Sequence, residues 1–279
     1  MDGFNENTRN SDVQINSYLP WKMIGLKQFL IFLFFFFSYE LINAQDVKIG
    51  LLASPTLSWM TVNDASIDSK GKVLGMSMGV QLDYGVSSKL YITLGTSLNI
   101  SQGGKLQYRD GGNFLPQSEL KLPQFNNGPK PIADNSTLTY NCQFWSNSIG
   151  LKSLVKESAT SKLYLEFPSF GLNRLVKARG SLSQDDKILT EEEDIMKDLR
   201  VWNLSVSGGI GIEKRINRNT LFYFSIRYIH FLSDLTLNNG FKAILIEKAV
   251  DPAPAVFHSI PENSKAIING LALNLGLYF

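Results

Sequence analysis

The chain contains little of what marks several common classes of protein. It has one cysteine, Cys142, which excludes an intramolecular disulfide, and two histidines, His230 and His258. Its 27 lysine and arginine residues nearly balance 25 aspartates and glutamates, which leaves a formal net charge of +2. A charge so close to zero gives no basic excess, so no nucleic-acid partner is expected.

Long hydrophobic runs are absent except for one near the N-terminus. Residues 29–39 are apolar, but this run is shorter than the ~20 residues that a membrane-spanning helix needs. Lys27 precedes the run and the small residue Ala44 follows it, which is the pattern of a secretory signal peptide cleaved after Ala44. The expected organisation is a polar N-terminal extension over 1–22, a signal peptide over 23–44 and one mature domain over 45–279.

What the mature part has instead is strict alternation of residue types, clearest in its last residues, 266–279. Large apolar residues occupy every second position there, and small or polar residues lie between them. The apolar set is Leu271, Leu273, Leu275, Leu277 and Phe279. One apolar face against lipid and one small, polar face toward a lumen is what a transmembrane β-strand requires. The mean hydropathy of −0.04 excludes a bundle of membrane helices but fits such strands.

Eight segments of the mature chain show this alternation. They are 47–61, 72–85, 89–101, 138–151, 162–176, 201–214, 220–235 and 266–279. Long and short connections alternate between them, which is typical of outer-membrane barrels with short periplasmic turns and longer external loops. The sequence therefore predicts an all-β fold, an eight-stranded antiparallel up-and-down transmembrane β-barrel of the outer-membrane type. Several segments exceed the ~9–11 residues that a spanning strand needs, so the strands are expected to continue above the membrane.

Several stretches resemble the PorT-like outer-membrane β-barrel family of Bacteroidetes, and the resemblance covers the whole mature chain. They are the signal ending at Ala44, SQGG at 101–104, SGGIGIEKRI at 207–216, LFYFSIRYIHFL at 221–232 with its Arg227–Tyr228 pair, and LALNLGLYF at 271–279. The proline of the family's fourth strand is missing from 138–147 and appears as Pro168 in the following segment. The resemblance implies an eight-stranded outer-membrane barrel without a catalytic residue set, whose founding member is linked to protein secretion and maturation.

Four charged residues fall on the faces predicted to line the lumen: Asp83, Glu166, Glu213 and Arg227. A proton or ion path, or a binding site, is one interpretation of this set. A network of ion pairs that fills a narrow barrel is the other, and it is favoured because eight strands leave an interior just wide enough for side chains. We therefore expect a structural polar network and no wide diffusion pore.

The connections raise further possibilities. The acidic residues of 177–200 could bind a divalent cation, but no calcium-loop spacing is present, and Thr190 with Glu193 resembles a capping box, which predicts a short helix. The proline- and glycine-rich connection 102–137 predicts an extended external loop. Trp59, Trp145, Trp202, Tyr84 and Tyr228 suit either interfacial aromatic belts or core packing.

The sequence favours an outer-membrane protein that acts structurally or through external loops, as an accessory in envelope biogenesis or secretion. Expected partners are outer-membrane lipid and envelope or secretion proteins. No catalytic, cofactor-binding or metal-binding residues are assigned. One alternative is a lipid-modifying enzyme, for which His230, Ser233 and Asp234 are the candidate cluster, although His230 and Ser233 point to opposite strand faces. The other alternative is a soluble periplasmic barrel that binds an apolar ligand.

Overall fold

A computed structural model describes residues 47–118, 132–185, 187–247 and 256–279. The chain divides into two compact units, 1–45 and 46–279. The first unit, which contains the predicted extension and signal peptide, lies outside the described residues. Within the described ranges, no helix is long and apolar enough to cross a membrane, a finding that concerns helices alone.

The described chain forms twelve β-strands and one short 3-10 helix, η1 (Met196–Asp198). The strands are β1 (Val47–Val62), β2 (Ile67–Gly85), β3 (Leu90–Tyr108), β4 (Gly112–Asn113), β5 (Ser136–Glu157), β6 (Ser161–Gln184), β7 (Lys187–Asp194), β8 (Trp202–Arg215), β9 (Leu221–Phe231), β10 (Phe241–Glu247), β11 (Val256–Pro261) and β12 (Ala266–Tyr278).

Eight of these strands close into an antiparallel barrel in the order β1-β2-β3-β5-β6-β8-β9-β12, and β12 pairs with β1. This confirms the predicted fold class. Strands β4, β10 and β11 form a separate small sheet, and β7 pairs only with β6 among the described strands. Both described termini and three short turns lie at one end of the barrel, called the turn end. Three longer connections lie at the other, the loop end, which faces the outside of the cell in barrels of this type. The fourth connection there, between β1 and β2, is also expected to be long, but it is a turn of only four residues, 63–66, because β2 begins earlier than its alternation predicts.

Alternation explains how the first and last strands of the barrel meet. Leu51 pairs with Leu277 and Leu57 with Leu271, and all four side chains point outward, while Gly50 faces Tyr278 inside the barrel. A Cβ on Gly50 would lie 2.6 Å from the Tyr278 ring, so only glycine leaves room for that ring in the lumen. The register of the closing strand pair is therefore set by side chains on both faces.

The outward wall of the barrel is apolar over most of its height. Leu51 is 57% exposed and Leu74 77% exposed, and comparable side chains project from every other barrel strand. An apolar surface of this extent is stable in contact with lipid but would be a severe liability in water. It excludes the alternative of a soluble periplasmic barrel.

Aromatic residues lie at the margins of this apolar band. Trp145, Trp202 and Tyr228 point outward toward its loop-end margin and are about half exposed, and Trp59 packs against Tyr228 with their ring centroids 6.3 Å apart. Tyr84 lies near the turn end. Of the two interpretations of these residues, interfacial belts fit these positions, because a core would bury them.

Four strands extend well past the apolar band, as their length predicts. Strands β2, β3, β5 and β6 contain 19, 19, 22 and 24 residues and continue pairing with their neighbours to Ile67, Tyr108, Ser136 and Ser183. The expected loop over 102–137 is thus wrong in its first part, because residues 102–108 belong to β3, and residues 119–131 lie outside the described ranges. Pro168 interrupts the β6–β8 pairing with a bulge between Glu166 and Ser169, as its missing N–H requires.

The helix predicted in the acidic connection is wrong. Residues 179–184 still belong to β6, and β7 folds back against them as a strand that carries Thr190 and Glu193. Leu189 packs against the buried apolar cluster at the loop end, so sheet pairing and apolar packing outweigh the capping-box pattern. The helical turn η1 follows β7, and its N-cap position is Ile195 rather than Thr190.

The extended strand ends enclose a hydrophobic core. We call this core and the strands that surround it the cap. This core is almost fully buried and closes the barrel above the membrane. Its members include Met60, Leu106, Tyr108, Phe114, Ile132, Leu138, Tyr140, Cys142, Phe144, Leu175, Leu182, Ile195, Leu199, Phe231, Leu235 and Ile268. The cap is therefore a packed external structure rather than a set of loose loops.

Candidate functional site

The four charged residues placed in the lumen by the sequence pattern all lie inside the barrel near the turn end. Asp83 is on β2, Glu166 on β6, Glu213 on β8 and Arg227 on β9, and the three carboxylates are at most 3% exposed. Each has neighbours that point outward, most of them apolar, so its direction follows from the period of the strand. The structure distributes the four over two adjoining clusters.

Lys152 on β5 is the centre of the first cluster. Its Nζ donates to Asp83 Oδ2 at 2.7 Å and also to Glu213 Oε1. Lys48 Nζ donates to the second oxygen of Glu213 at 3.2 Å. Three rings surround the Lys152 ammonium, at 4.5 Å for Tyr164, 4.7 Å for Tyr223 and 4.9 Å for Tyr278. The buried Lys152 ammonium therefore binds carboxylates from two strands and contacts the faces of three tyrosine rings.

Glu166 and Arg227 form the second cluster. Arg227 Nη2 donates to Glu166 Oε2 at 2.7 Å, and the Tyr223 hydroxyl donates to Glu166 Oε1. Because Tyr223 also packs on the Lys152 ammonium, the two clusters are one continuous network. Its three carboxylates face three cations, so the buried charge is balanced and each ion has a partner.

Sequence reasoning missed two members of this network. The alternation of the fourth segment drifts near its end, which places Lys152 in a connection. In the structure β5 continues through Gly150 and Lys152 with its alternation unbroken, and the extra residue of the adjoining bulge lies on β6, so the strand carries Lys152 inward. Lys48 lies next to Ile49 in the first segment, so its inward direction could have been predicted from the alternation.

Above the network the lumen is polar and uncharged. Serine, threonine and asparagine side chains line a cavity of about 80 Å³ and an adjoining one of about 60 Å³. Asn274 spans them, accepting from Ser54 at 2.7 Å and donating to Ser225 at 2.8 Å. Each cavity could hold only a few water molecules, at ~30 Å³ for each water. Arg227 lines both, and its Nε has no hydrogen-bond partner among the described residues.

The lumen is thus occupied at three levels in the described part of the chain. The charged network fills the turn end, polar side chains narrow the middle, and the cap core covers the loop end. The arrangement suits a mechanical role, because each level ties together strands that are distant in the sequence. In the same ranges, no three His, Cys, Asp or Glu side chains are grouped so that they could hold a metal ion.

The residues considered for catalysis are not brought together. His230 Nδ1 lies 2.7 Å from Asn269 Oδ1, which also accepts from the Tyr228 hydroxyl. The Ser233 hydroxyl accepts the Leu204 N–H instead of meeting a base. Asp234 accepts backbone N–H groups of the cap. A nucleophile needs a base within hydrogen-bond reach, so this trio gives a lipid-modifying activity no geometric support. The His258 side chain lies outside the described side chains.

A buried carboxyl in the cap is a further titratable group that the sequence did not reveal. Glu262 is 6% exposed, accepts a hydrogen bond from the Ser264 hydroxyl at 2.6 Å, and leaves Oε2 without a partner among the described residues. Burial raises the pKa of Glu262 from its ordinary value of 4.5 to about 7. The nearby charges of Asp234 and Asp64 act in the same direction, while Ser264 and Lys242 oppose it.

Comparison with known proteins finds only distant similarity to solved structures. No family model matches the chain, and no curated protein matches it. The chain is similar to the solved structure of neisserial surface protein A, with 10% identity, a TM-score of 0.42 and coverage of 83% of this chain and 95% of that one.

Two further solved structures are similar at the same level. The outer membrane protease OmpT from Escherichia coli has 8% identity, a TM-score of 0.40 and coverage of 84% of this chain and 96% of that one. The attachment invasion locus protein Ail of Yersinia pestis has 10% identity, a TM-score of 0.32 and coverage of 83% and 98%. These scores are low, so the class rests on the closed sheet and its apolar exterior: the protein is an outer-membrane β-barrel in contact with membrane lipid.

The ion pair of Arg227 gives a direct test of the network. We expect Arg227→Ala to destabilise the barrel by roughly 3–5 kcal/mol, because it leaves Glu166 buried with no cation on that side. Urea unfolding of the barrel in lipid vesicles, followed by tryptophan fluorescence, measures the change. Arg215→Ala, at the exposed turn end, is the matched control and should change little. An unchanged midpoint for Arg227→Ala would contradict the network's structural role.

The raised pKa of Glu262 predicts a stability that depends on pH. The folded cap retains a proton that the unfolded chain loses above pH 4.5, so stability should be greatest below that pH and decrease until about pH 7. Glu262→Gln should abolish this decrease, a difference of roughly 3 kcal/mol at 1.36 kcal/mol per pKa unit. Protease resistance of the cap measured from pH 4 to 8 tests it. Glu157→Gln at the turn end is the control, and a pH profile that Glu262→Gln leaves intact would contradict the assignment.

Proposed function

We propose that the protein acts through its external cap, as an accessory that contacts envelope or secretion proteins, and not as a conduit for solutes. The single observation that carries this proposal is the filled lumen. Ion pairs, polar side chains and an apolar core occupy successive levels of the interior of the barrel in the described part of the chain, which argues against a wide path for solutes. Its accessible chemistry then lies on its outer surfaces.

The cap is well suited to protein contact. It projects beyond the apolar band on strands that are held by continuous backbone pairing, so its surfaces are rigid. A groove of about 400 Å³ runs on its outer wall between β7 and the extended ends of β3, β5 and β6. Ile188, which is 64% exposed, lines this groove beside Lys105 and Glu191. An apolar side chain surrounded by charged ones is the usual composition of a contact site.

The resemblance to PorT-like barrels suggests which kind of protein the cap contacts. The founding member of that family is linked to protein secretion and maturation, and a closed barrel with an external cap fits a scaffold for such partners. A role in secretion is therefore the finer form of the proposal. A lipid-modifying enzyme would instead require a reactive cluster, and His230, Ser233 and Asp234 do not form one.

Site-specific photo-crosslinking in living cells tests the proposed contact. A photo-crosslinking amino acid at position 188 should give a discrete protein adduct, because this position lies in the groove on the cap. The same amino acid at position 74, which is 77% exposed on the lipid-facing wall, is the matched control and should give no protein adduct.

A second measurement links the contact to function. In a deletion strain, the wild-type gene should restore the profile of secreted proteins, and Ile188→Asp should restore it poorly although the barrel still folds. If position 188 gives no adduct and Ile188→Asp complements fully, the groove is not the contact site. If the deletion changes the membrane lipid profile but not secretion, the enzyme alternative replaces this proposal.

A further inference from the structure

Three cations gather on the outward wall at the loop-end margin of the apolar band. Arg174 on β6 lies directly between Trp145 on β5 and Trp202 on β8 in the sheet. Its guanidinium carbon is 5.9 Å from the centre of the Trp202 ring. Both tryptophans are about half exposed, so the three side chains form an open shelf on the surface.

Register places two more cations beside this shelf. Lys177, exposed, follows Arg174 by three residues, after a bulge that turns both 176 and 177 outward. Arg200, also exposed, precedes Trp202 by two residues, and the Leu175 N–H donates to Val201 O at 2.7 Å, which holds this segment against β6. No carboxylate of the described residues pairs with any of the three cations. We call Arg174, Lys177 and Arg200 the basic triad.

Below the triad, toward the membrane, the same two strands are apolar. Leu172 pairs with Leu204, and Phe170 pairs with Val206. These are the next two outward-facing pairs below Arg174 and Trp202 on the same strands. Leu172, Leu204 and Phe170 are each about half exposed. A basic site therefore stands directly above an apolar track that runs down the wall, with tryptophans at the boundary.

We propose that this surface binds the headgroup of an anionic, phosphate-bearing lipid of the outer leaflet, with the basic triad on its phosphates and an acyl chain on the track between β6 and β8. Arginine and lysine are the side chains that recognise phosphate, and tryptophan lies at the level where headgroups meet acyl chains. A soluble phosphate would use only the triad, and a protein partner would leave the lipid-facing track without a role. The continuous track is what selects a lipid.

A second cation–aromatic pair at the same level of the barrel allows a single cation to be compared with the basic triad. Lys72 Nζ lies 5.6 Å from the centre of the Trp59 ring on the opposite strands β2 and β1. It offers one cation and not three, so it serves as an internal comparison. Its removal should have a much smaller effect than removal of the triad.

Native mass spectrometry of the folded, mature barrel in detergent tests the proposal. Titration with lipid A that carries two phosphates, and with the monophosphoryl form that has the same acyl chains, separates headgroup charge from acyl binding. The wild type should prefer the bisphosphorylated form. The variant R174Q/K177Q/R200Q should lose on the order of 10- to 100-fold in affinity for it, from roughly tenfold or less for each cation at an anionic surface.

Two control variants accompany the triad variant. K89Q/R215Q/R218Q removes the same charge from the turn end and should keep wild-type affinity, as K72Q largely should. R174K/K177R/R200K retains the charge and should retain binding, which separates loss of charge from loss of fold.

Three outcomes would overturn the proposal. The first is equal affinity of the wild type for the two lipid forms. The second is an equal loss in the triad and turn-end variants. The third is displacement of the lipid by excess inorganic phosphate, which would make the triad a site for free anions.

Discussion

No water is available in the hydrocarbon core of a membrane to bond a backbone N–H or C=O, and this constraint decides the architecture of the protein. A sheet can meet it only by closing, and β12 does so by pairing with β1 along eleven positions. Closure then divides the side chains of every strand between lipid and lumen. The outward side chains must be apolar because they contact lipid. The inward polar side chains must form hydrogen bonds and ion pairs with one another because the lumen is not bulk water.

The interior answers that second demand in three ways along its height. Lys152, Lys48 and Arg227 neutralise Asp83, Glu213 and Glu166 at the turn end, where an ion without its partner would be costly to bury. Hydroxyls and amides pair in the middle. Above the membrane the extended strands enclose an apolar core of the kind found in soluble domains. These three layers stabilise the barrel and also fill its lumen. The surfaces that remain accessible to other molecules are therefore the cap and the lipid-facing wall.

Alternation made the barrel strands predictable, because period two is dictated by the strand itself and lipid enforces it on one face. Asp83, Glu166, Glu213 and Arg227 could be placed inside for that reason. Lys152 could not, because the apolar residues of β5 lie on its inward face in the cap, as at Tyr140 and Phe144, and on its outward face below, so the apolar pattern changes sides although the strand keeps its period. The cap escaped prediction for a related reason. Its strand ends carry their apolar residues on the inward face, the reverse of the membrane section, so alternation alone does not show where the membrane section stops. The acidic stretch 187–194 resembles a helix start locally, while β6 provides a strand partner that no local pattern reveals.

The central claim is that the protein is a membrane barrel whose interior is filled, and ion conductance in planar lipid bilayers measures this most directly. The mature protein, shown to be folded by its heat-modifiable gel mobility, is inserted beside a general diffusion porin as the positive control. The account predicts no steady conductance from this protein at potentials where the porin conducts. A stable open level would contradict it. Ions that cross the barrel would have to displace the packed cap and the Lys152 network, and a stable conducting state would mean that these do not fill the lumen.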